Sequence, residues 1–138
     1  MGAWGHGPFE NDAALDFVGD LADAGPGEVR AGLLAAMRAV ADSSDYLEDP
    51  ETDAALAAAV LVACRLGADP GSASAADLLA SCPFEADGEL RLAALRVLDR
   101  LADPRDNEWH DLWTDAGSLD KVLELLAPYR ERLAAAGS

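Results

Sequence analysis

Four side chains able to bind a metal or move a proton lie close together near the start of the chain: His6, Glu10, Asp12 and Asp16. Asp12 and Asp16 are four residues apart, so on a helix they share a face, as a hydrolytic or dinuclear metal site would need. They follow the run "GHGPFEND", Gly5 to Asp12, a glycine loop entering a helix, whose backbone N–H groups could cradle phosphate. Neither chemistry is complete. The loop lacks the lysine and hydroxyl of a nucleotide-binding loop, Pro8 removes one N–H, and Glu10 and Asp12 would place carboxylates beside any anion. The spacing of His6 and the carboxylates fits no histidine-based ligand motif. A solvated acidic stripe of Asp12, Asp16, Asp20 and Asp23, opposite an apolar face, accounts for these residues without an ion. No metal and no cofactor is expected.

The remaining chemical candidates fail on spacing. "DSSDYLEDPETD", Asp42 to Asp53, has the composition of a calcium loop, which needs glycine at its sixth position and glutamate at its twelfth. Counted from Asp42, those positions hold Leu47 and Asp53; counted from Asp45, they hold Pro50 and Leu56. There is no GxSxG elbow, and "GSASA" at Gly71–Ala75 sits in a loop. Cys64 lies in an apolar run that predicts a buried thiol, and Cys82 precedes a proline with no histidine nearby in sequence. His110 and Asp111 are adjacent, but helical neighbours point 100° apart, so adjacency is not contact. No catalytic residue is assigned.

These candidates must be positioned by helices, because no stretch alternates as a strand would. The first helix spans about Asn11 to Ala24, with Ala13, Ala14, Phe17, Val18 and Leu21 inward, Asn11 or Glu10 at its start and Gly25-Pro26-Gly27 at its end. The second runs about Glu28 to Asp42. Asp49 is expected to cap a third, with Pro50 in its first turn. Its body, "AALAAAVLVACRLG", is apolar all round, the pattern of a central helix covered on every side, and Gly67 closes it. A short helix spans about Ala75 to Ser81 and another about Gly88 to Ala102, the latter stopped by Pro104. Asp106 is expected to cap a short helix bearing "EWHDLW", with Trp109 and Trp113 on one face. Ser118 is expected to cap the last, which Pro128 should kink or split. The expected fold is all-α: a single compact domain over 1–138, of about six to seven helices around an apolar central helix.

Composition narrows the partners. A chain of 138 residues can bury roughly two-thirds of its unfolded surface and needs no metal or disulfide staple. Hydrophobic residues make up 51% but aromatics only 6%, so much of the core is alanine and each bulky ring matters. Acidic residues number 26 against 10 basic ones, a net charge of −16, which repels nucleic acid and attracts a basic protein. The N-terminus carries no basic-then-apolar signal pattern, and the longest uncharged run, Ala54 to Cys64, is too short to cross a bilayer. A cytoplasmic protein is expected, a monomer or weak dimer, with no membrane and no nucleic acid among its partners.

The opening "MGAWGHGPFENDAALDF" resembles the signature of a bacterial group, domain-of-unknown-function family 4259. The pattern Gly-x-Trp-Gly-x-Gly-x-Phe-x-Asn-Asp, followed by an Asp-aromatic pair, falls on Gly2, Trp4, Gly5, Gly7, Phe9, Asn11, Asp12, Asp16 and Phe17. The alanine-rich helix and the "EWHDLW" segment are similar to that family as well, so the likeness spans nearly the whole chain. Phe17 departs from the tryptophan more usual there, and His6 occupies a variable position. The resemblance implies a small stand-alone helical domain and brings no activity.

Two functions follow from the residues. The favoured one is a non-catalytic binding module for a basic protein, of which an immunity- or antitoxin-type inhibitor is one concrete form. The alternative is a small-molecule or metal-dependent enzyme with a site near the N-terminal signature. Candidate binding residues are Trp4, His6, Asn11, Asp12, Asp16, Trp109, His110 and Trp113. The stretch from Gly2 to Phe17 is expected to act chiefly as a clasp, with Trp4 packing near Trp109 or Trp113 to join the chain's two ends.

Overall fold

A computed structural model describes residues 9, 11–43, 46–69, 71–81 and 84–135. Among them stand seven α-helices and no strand. They are α1 (Asp12–Ala24), α2 (Val29–Ala41), α3 (Asp49–Arg65), α4 (Ala73–Ser81), α5 (Gly88–Ala102), α6 (Glu108–Asp115) and α7 (Leu119–Ala135). A 3₁₀ turn over Pro26–Glu28 leads directly into α2, and an isolated parallel bridge joins Leu47 to Asn107. The fold is all-α, as composition and periodicity predict.

The all-apolar third segment is the centre. Every residue of α3 from Ala55 to Cys64 is buried, and α3 touches each of the other six helices. Its run of alanines explains how so many neighbours fit: small side chains let helix axes approach closely, so the core is built from close packing rather than bulk. The outer helices each turn one stripe toward it. In α1 the buried positions are Ala14, Val18 and Leu21; in α5 they include Leu90, Ala94, Val97 and Leu101. The α1–α2 turn is tight. Gly25 takes φ 93°, open to glycine, and a Cβ on Gly32 would lie 2.7 Å from Leu21 Cδ2.

Arginines brace the periphery. On α2, Arg30 reaches Asp87 at 2.9 Å and Glu89 at 2.6 Å, and Arg38 also reaches Glu89 at 2.7 Å, fastening α2 to the start of α5. Arg96 of α5 pairs with Asp42 at the end of α2. Asp87 has a second task as the N-cap of α5, where it accepts from Leu90 N–H at 3.0 Å.

Three expected boundaries are corrected. Helix α3 begins at Asp49 itself, so the cap position falls on Glu48, which is extended and makes no side-chain cap bond. The Thr52 hydroxyl instead donates to the Glu48 carbonyl at 2.8 Å. Helix α6 is capped by Asn107 and not by Asp106, which occupies a left-handed turn at φ 49°. Helix α7 runs unbroken through Pro128. Proline deprives the carbonyl four residues back of its donor, but Glu124 and Pro128 are both exposed, so water can take that bond.

Candidate functional site

The predicted site residues that are described fall on two elements that do not meet. At the entry to α1, Asn11 is 7% exposed and its Oδ1 accepts from the Ala14 N–H at 2.7 Å. This is an N-cap satisfying one of the orphan donors of the first turn. Phe9 is buried in the core and Phe17 is packed against it. Asp12, Asp16, Asp20 and Asp23 are all exposed, and none makes an ion pair among the described residues. In the described part of the opening stretch, the aromatic and amide side chains are thus turned inward and the carboxylates outward. Trp4 and His6 lie outside the described residues, and so does the expected contact of Trp4 with Trp109 or Trp113.

The second group belongs to α6. Trp109 is 1% exposed and Trp113 is half-buried against the core. The His110 ring is half-buried, with Nδ1 3.4 Å from Thr114 Oγ1, so its neighbour is one turn along the helix rather than Asp111. Helices α1 and α6 share no contact. Asn11, Asp12 and Asp16 therefore sit apart from Trp109, His110 and Trp113. Among the described residues, no three His, Cys, Asp or Glu side chains converge in a way that would hold a metal ion.

A residue that the sequence reading passed over organises this end of the molecule. Asn107 is fully buried. Its Oδ1 accepts from the His110 N–H at 3.0 Å, and its Nδ2 donates to the carbonyls of Leu101 and Asp103 at 3.0 Å and of Arg100 at 3.3 Å. One amide thus closes the C-terminus of α5 and the N-terminus of α6 together, satisfying orphan groups of both signs. The available signal was the asparagine itself, since asparagine caps as well as aspartate does.

The cysteine chemistry is quiet. Cys64 is a free, buried thiol, and burial, with Asp69 adding to it, pushes its pKa up to about 12. That is far from the lowered values of nucleophilic cysteines. Cys82 lies outside the described residues. Surface hollows offer little more. One of about 440 Å³ lies between the α3–α4 loop and α7, with Tyr129, Arg132 and Asp69 as its polar lining. The Tyr129 hydroxyl is already spent, donating to the Asp69 carbonyl at 2.9 Å. Another, of about 530 Å³, is bordered by Arg65 and Phe84, whose ring lies 4.7 Å beneath the guanidinium carbon. Neither hollow brings a base to a nucleophile.

Electrostatics are more distinctive. Five of the nine arginines (Arg30, Arg38, Arg96, Arg105 and Arg130) are paired with carboxylates of this chain. Three more donate to backbone carbonyls: Arg65 to Leu79, Arg91 to Leu133 and Arg100 to Asp106. The basic complement is largely absorbed in holding the fold, and no helix among those described is long and apolar enough to cross a membrane. Comparison with known proteins gives a family and no activity. The family described as Domain of unknown function (DUF4259) matches residues 2–124, and the chain belongs to it. No curated protein and no solved structure matches.

Proposed function

We propose that this member of the family is a non-catalytic binding module whose acidic surface receives a basic protein, as an immunity- or antitoxin-type inhibitor does. It would act in the cytoplasm as a monomer or weak dimer. The observation that carries this is the outer face of α1. Asp12, Asp16, Asp20 and Asp23 lie within about 80° of one another at 100° per residue, exposed, on a helix containing no basic residue. Such an arrangement works against the free protein. Like charges one turn apart cost about 0.2–0.5 kcal/mol per pair, and Asp20 and Asp23 stand near the helix end whose dipole disfavours anions. A surface acidic merely for solubility gains nothing from stacking carboxylates there; a basic partner would relieve the repulsion and be steered by it.

The rival reading, a small-molecule or metal-dependent enzyme around the opening signature, would gather His6, Asp12 and Asp16 about one ligand, and His6 lies outside the described residues. Asn11 points into the fold as a cap while the two aspartates face water.

The test is the triple change Asp16→Asn, Asp20→Asn, Asp23→Asn in the full chain. It should raise stability by about 1 kcal/mol at low salt, by removing three like-charge pairs. It should also abolish capture of a basic protein that the wild type retains from its native lysate. Association of that protein with the wild type should slow steeply as salt rises. A variant that is less stable, or that retains the same protein with an unchanged on-rate, refutes the proposal.

A further inference from the structure

The segment from Tyr46 to Glu48 is tied by its backbone to the start of α6. The Leu47 N–H donates to the Asp106 carbonyl at 2.7 Å, and the Glu108 N–H donates to the Leu47 carbonyl at 3.0 Å. Leu47 is 3% exposed, so the alternation of an extended strand turns its neighbours outward. Tyr46 is 50% exposed accordingly, and Glu48 is exposed beside it.

Helix α6 presents a matching face. With Trp109 and Trp113 turned to the core, the helical period sets Glu108, Asp111 and Asp115 on the opposite side, with Leu112 on the flank next to them. Leu112 is 48% exposed. The carboxylates of Glu108, Asp111, Asp106 and Glu48 all act on the Tyr46 hydroxyl; partial desolvation first, and these charges after it, hold that group above the usual tyrosine range. The ring therefore stays neutral at physiological pH and half-exposed beside these four carboxylates. Glu48, Asp106 and Asp111 make no ion pair among the described residues.

A ligand suited to this patch must be cationic, flat enough to lie on an aromatic ring, and able to donate several hydrogen bonds to carboxylates. A guanidinium meets all three requirements, whereas an ammonium has the charge and three donors but no flat face to lay on the ring. A second copy of this chain, at net charge −16, would be repelled as nucleic acid would. We propose that Tyr46, framed by Glu48, Asp106, Glu108 and Asp111, is the docking point for an exposed arginine of a basic protein, with Leu112 packing alongside. This rests on the binding-module reading and gives it a second location, separate from the α1 stripe.

The experiment uses the isotope-labelled full chain and two synthetic probes, an arginine peptide and a lysine peptide of equal length and charge, followed by NMR at low salt. The arginine peptide should shift resonances of residues 46–48 and 106–112 and bind tighter than the lysine peptide by up to about five-fold, an exposed cation–π contact being worth at most about that and favouring the flat guanidinium. Tyr46→Phe should keep that preference and Tyr46→Ala should erase it, while Asp111→Asn should weaken both peptides. Tyr46 and Asp111 are exposed, so these variants should remain folded, and their unchanged spectra elsewhere will verify it. Shifts confined to the α1 stripe, or a preference surviving Tyr46→Ala, overturn the docking point while leaving a basic partner in place. No shift anywhere with either peptide overturns both proposals. Calcium moving the same resonances while neither peptide does would replace the arginine site by a cation site.

Discussion

Asn107 is where the two halves of the hydrogen-bond economy meet, so its replacement should be costly in a way that separates two roles. In Asn107→Ala the cap on α6 is lost, worth about 1 kcal/mol. The Leu101 carbonyl, whose bond from Nδ2 is buried, loses its donor, and an orphaned buried acceptor costs about 1–3 kcal/mol. The Asp103 and Arg100 carbonyls are only partly buried and can turn to water, so they add little. The expected loss is about 3 kcal/mol, a large share of the 5–15 kcal/mol typical of a domain. Asn107→Asp is the sharper probe. It keeps the oxygen that caps α6 but replaces the donating NH₂ with a second acceptor facing three carbonyls in a fully buried site. If Asn107 served only as a cap, aspartate would be tolerated; because it also donates, aspartate should cost at least as much as alanine at neutral pH. Urea unfolding reads both, as a lowered midpoint with unchanged slope. An aspartate variant within about 0.5 kcal/mol of wild type would refute the donor role, that being the scatter of ordinary surface changes.

Asn11→Ala should cost about 1 kcal/mol by thermal or urea unfolding, the usual value of an N-cap; no loss would mean the 2.7 Å bond to Ala14 contributes nothing. In a Cys82→Ser background, Cys64 should react with a neutral thiol reagent only as fast as the protein opens, with rates rising in step with urea; fast reaction in native buffer would contradict its burial. The hydrogen bond from Arg30, above all, holds the carboxyls of Asp87 and Glu89 below their ordinary range. Their contribution is therefore complete above the unfolded values near about pH 4 and is lost as pH falls through the lower folded ones. Arg30→Gln should flatten that acid limb, and an unchanged limb would show that the α2–α5 clamp carries no pH-dependent stability.

What the sequence made legible was what repeats at short range. The helical period placed the buried stripes of α1 and α5, and the apolar run from Ala55 to Cys64 correctly foretold a helix covered on all sides. Asn11, Gly25 and Pro104 marked helix ends by local chemistry. The cap of α6 was misplaced by one residue because Asp106 and Asn107 are equally good acceptors; the difference lies in the donor that only asparagine offers to carbonyls of another helix. Of the two outcomes expected at Pro128, a kink or a split, the split does not occur, because the consequence of a missing N–H depends on whether water reaches the freed carbonyl, a matter of burial rather than of residue type. Tyr46 was invisible as a candidate for a related reason. It acquires its acidic surroundings from a backbone bridge to residues some sixty positions away.

The same logic bears on the charge imbalance. A core poor in bulky side chains gains its stability from many close helix contacts, and long arginine side chains fasten those helices at their rims, as Arg30, Arg96 and Arg130 do. Exposed pairs of this kind contribute only about 0–1 kcal/mol each, but with the pairs of Arg38 and Arg105 they occupy five of the chain's 10 basic residues. Part of the acidic surplus lies on the outer sides of α1 and α6. Those sides lie on helices that do not touch, so a single small probe should engage one without affecting the other. A folded basic partner large enough to span both would instead lose affinity on neutralisation of either, by nearly independent amounts. A double variant that lost far more or far less than the sum would show that the two faces belong to one contiguous contact.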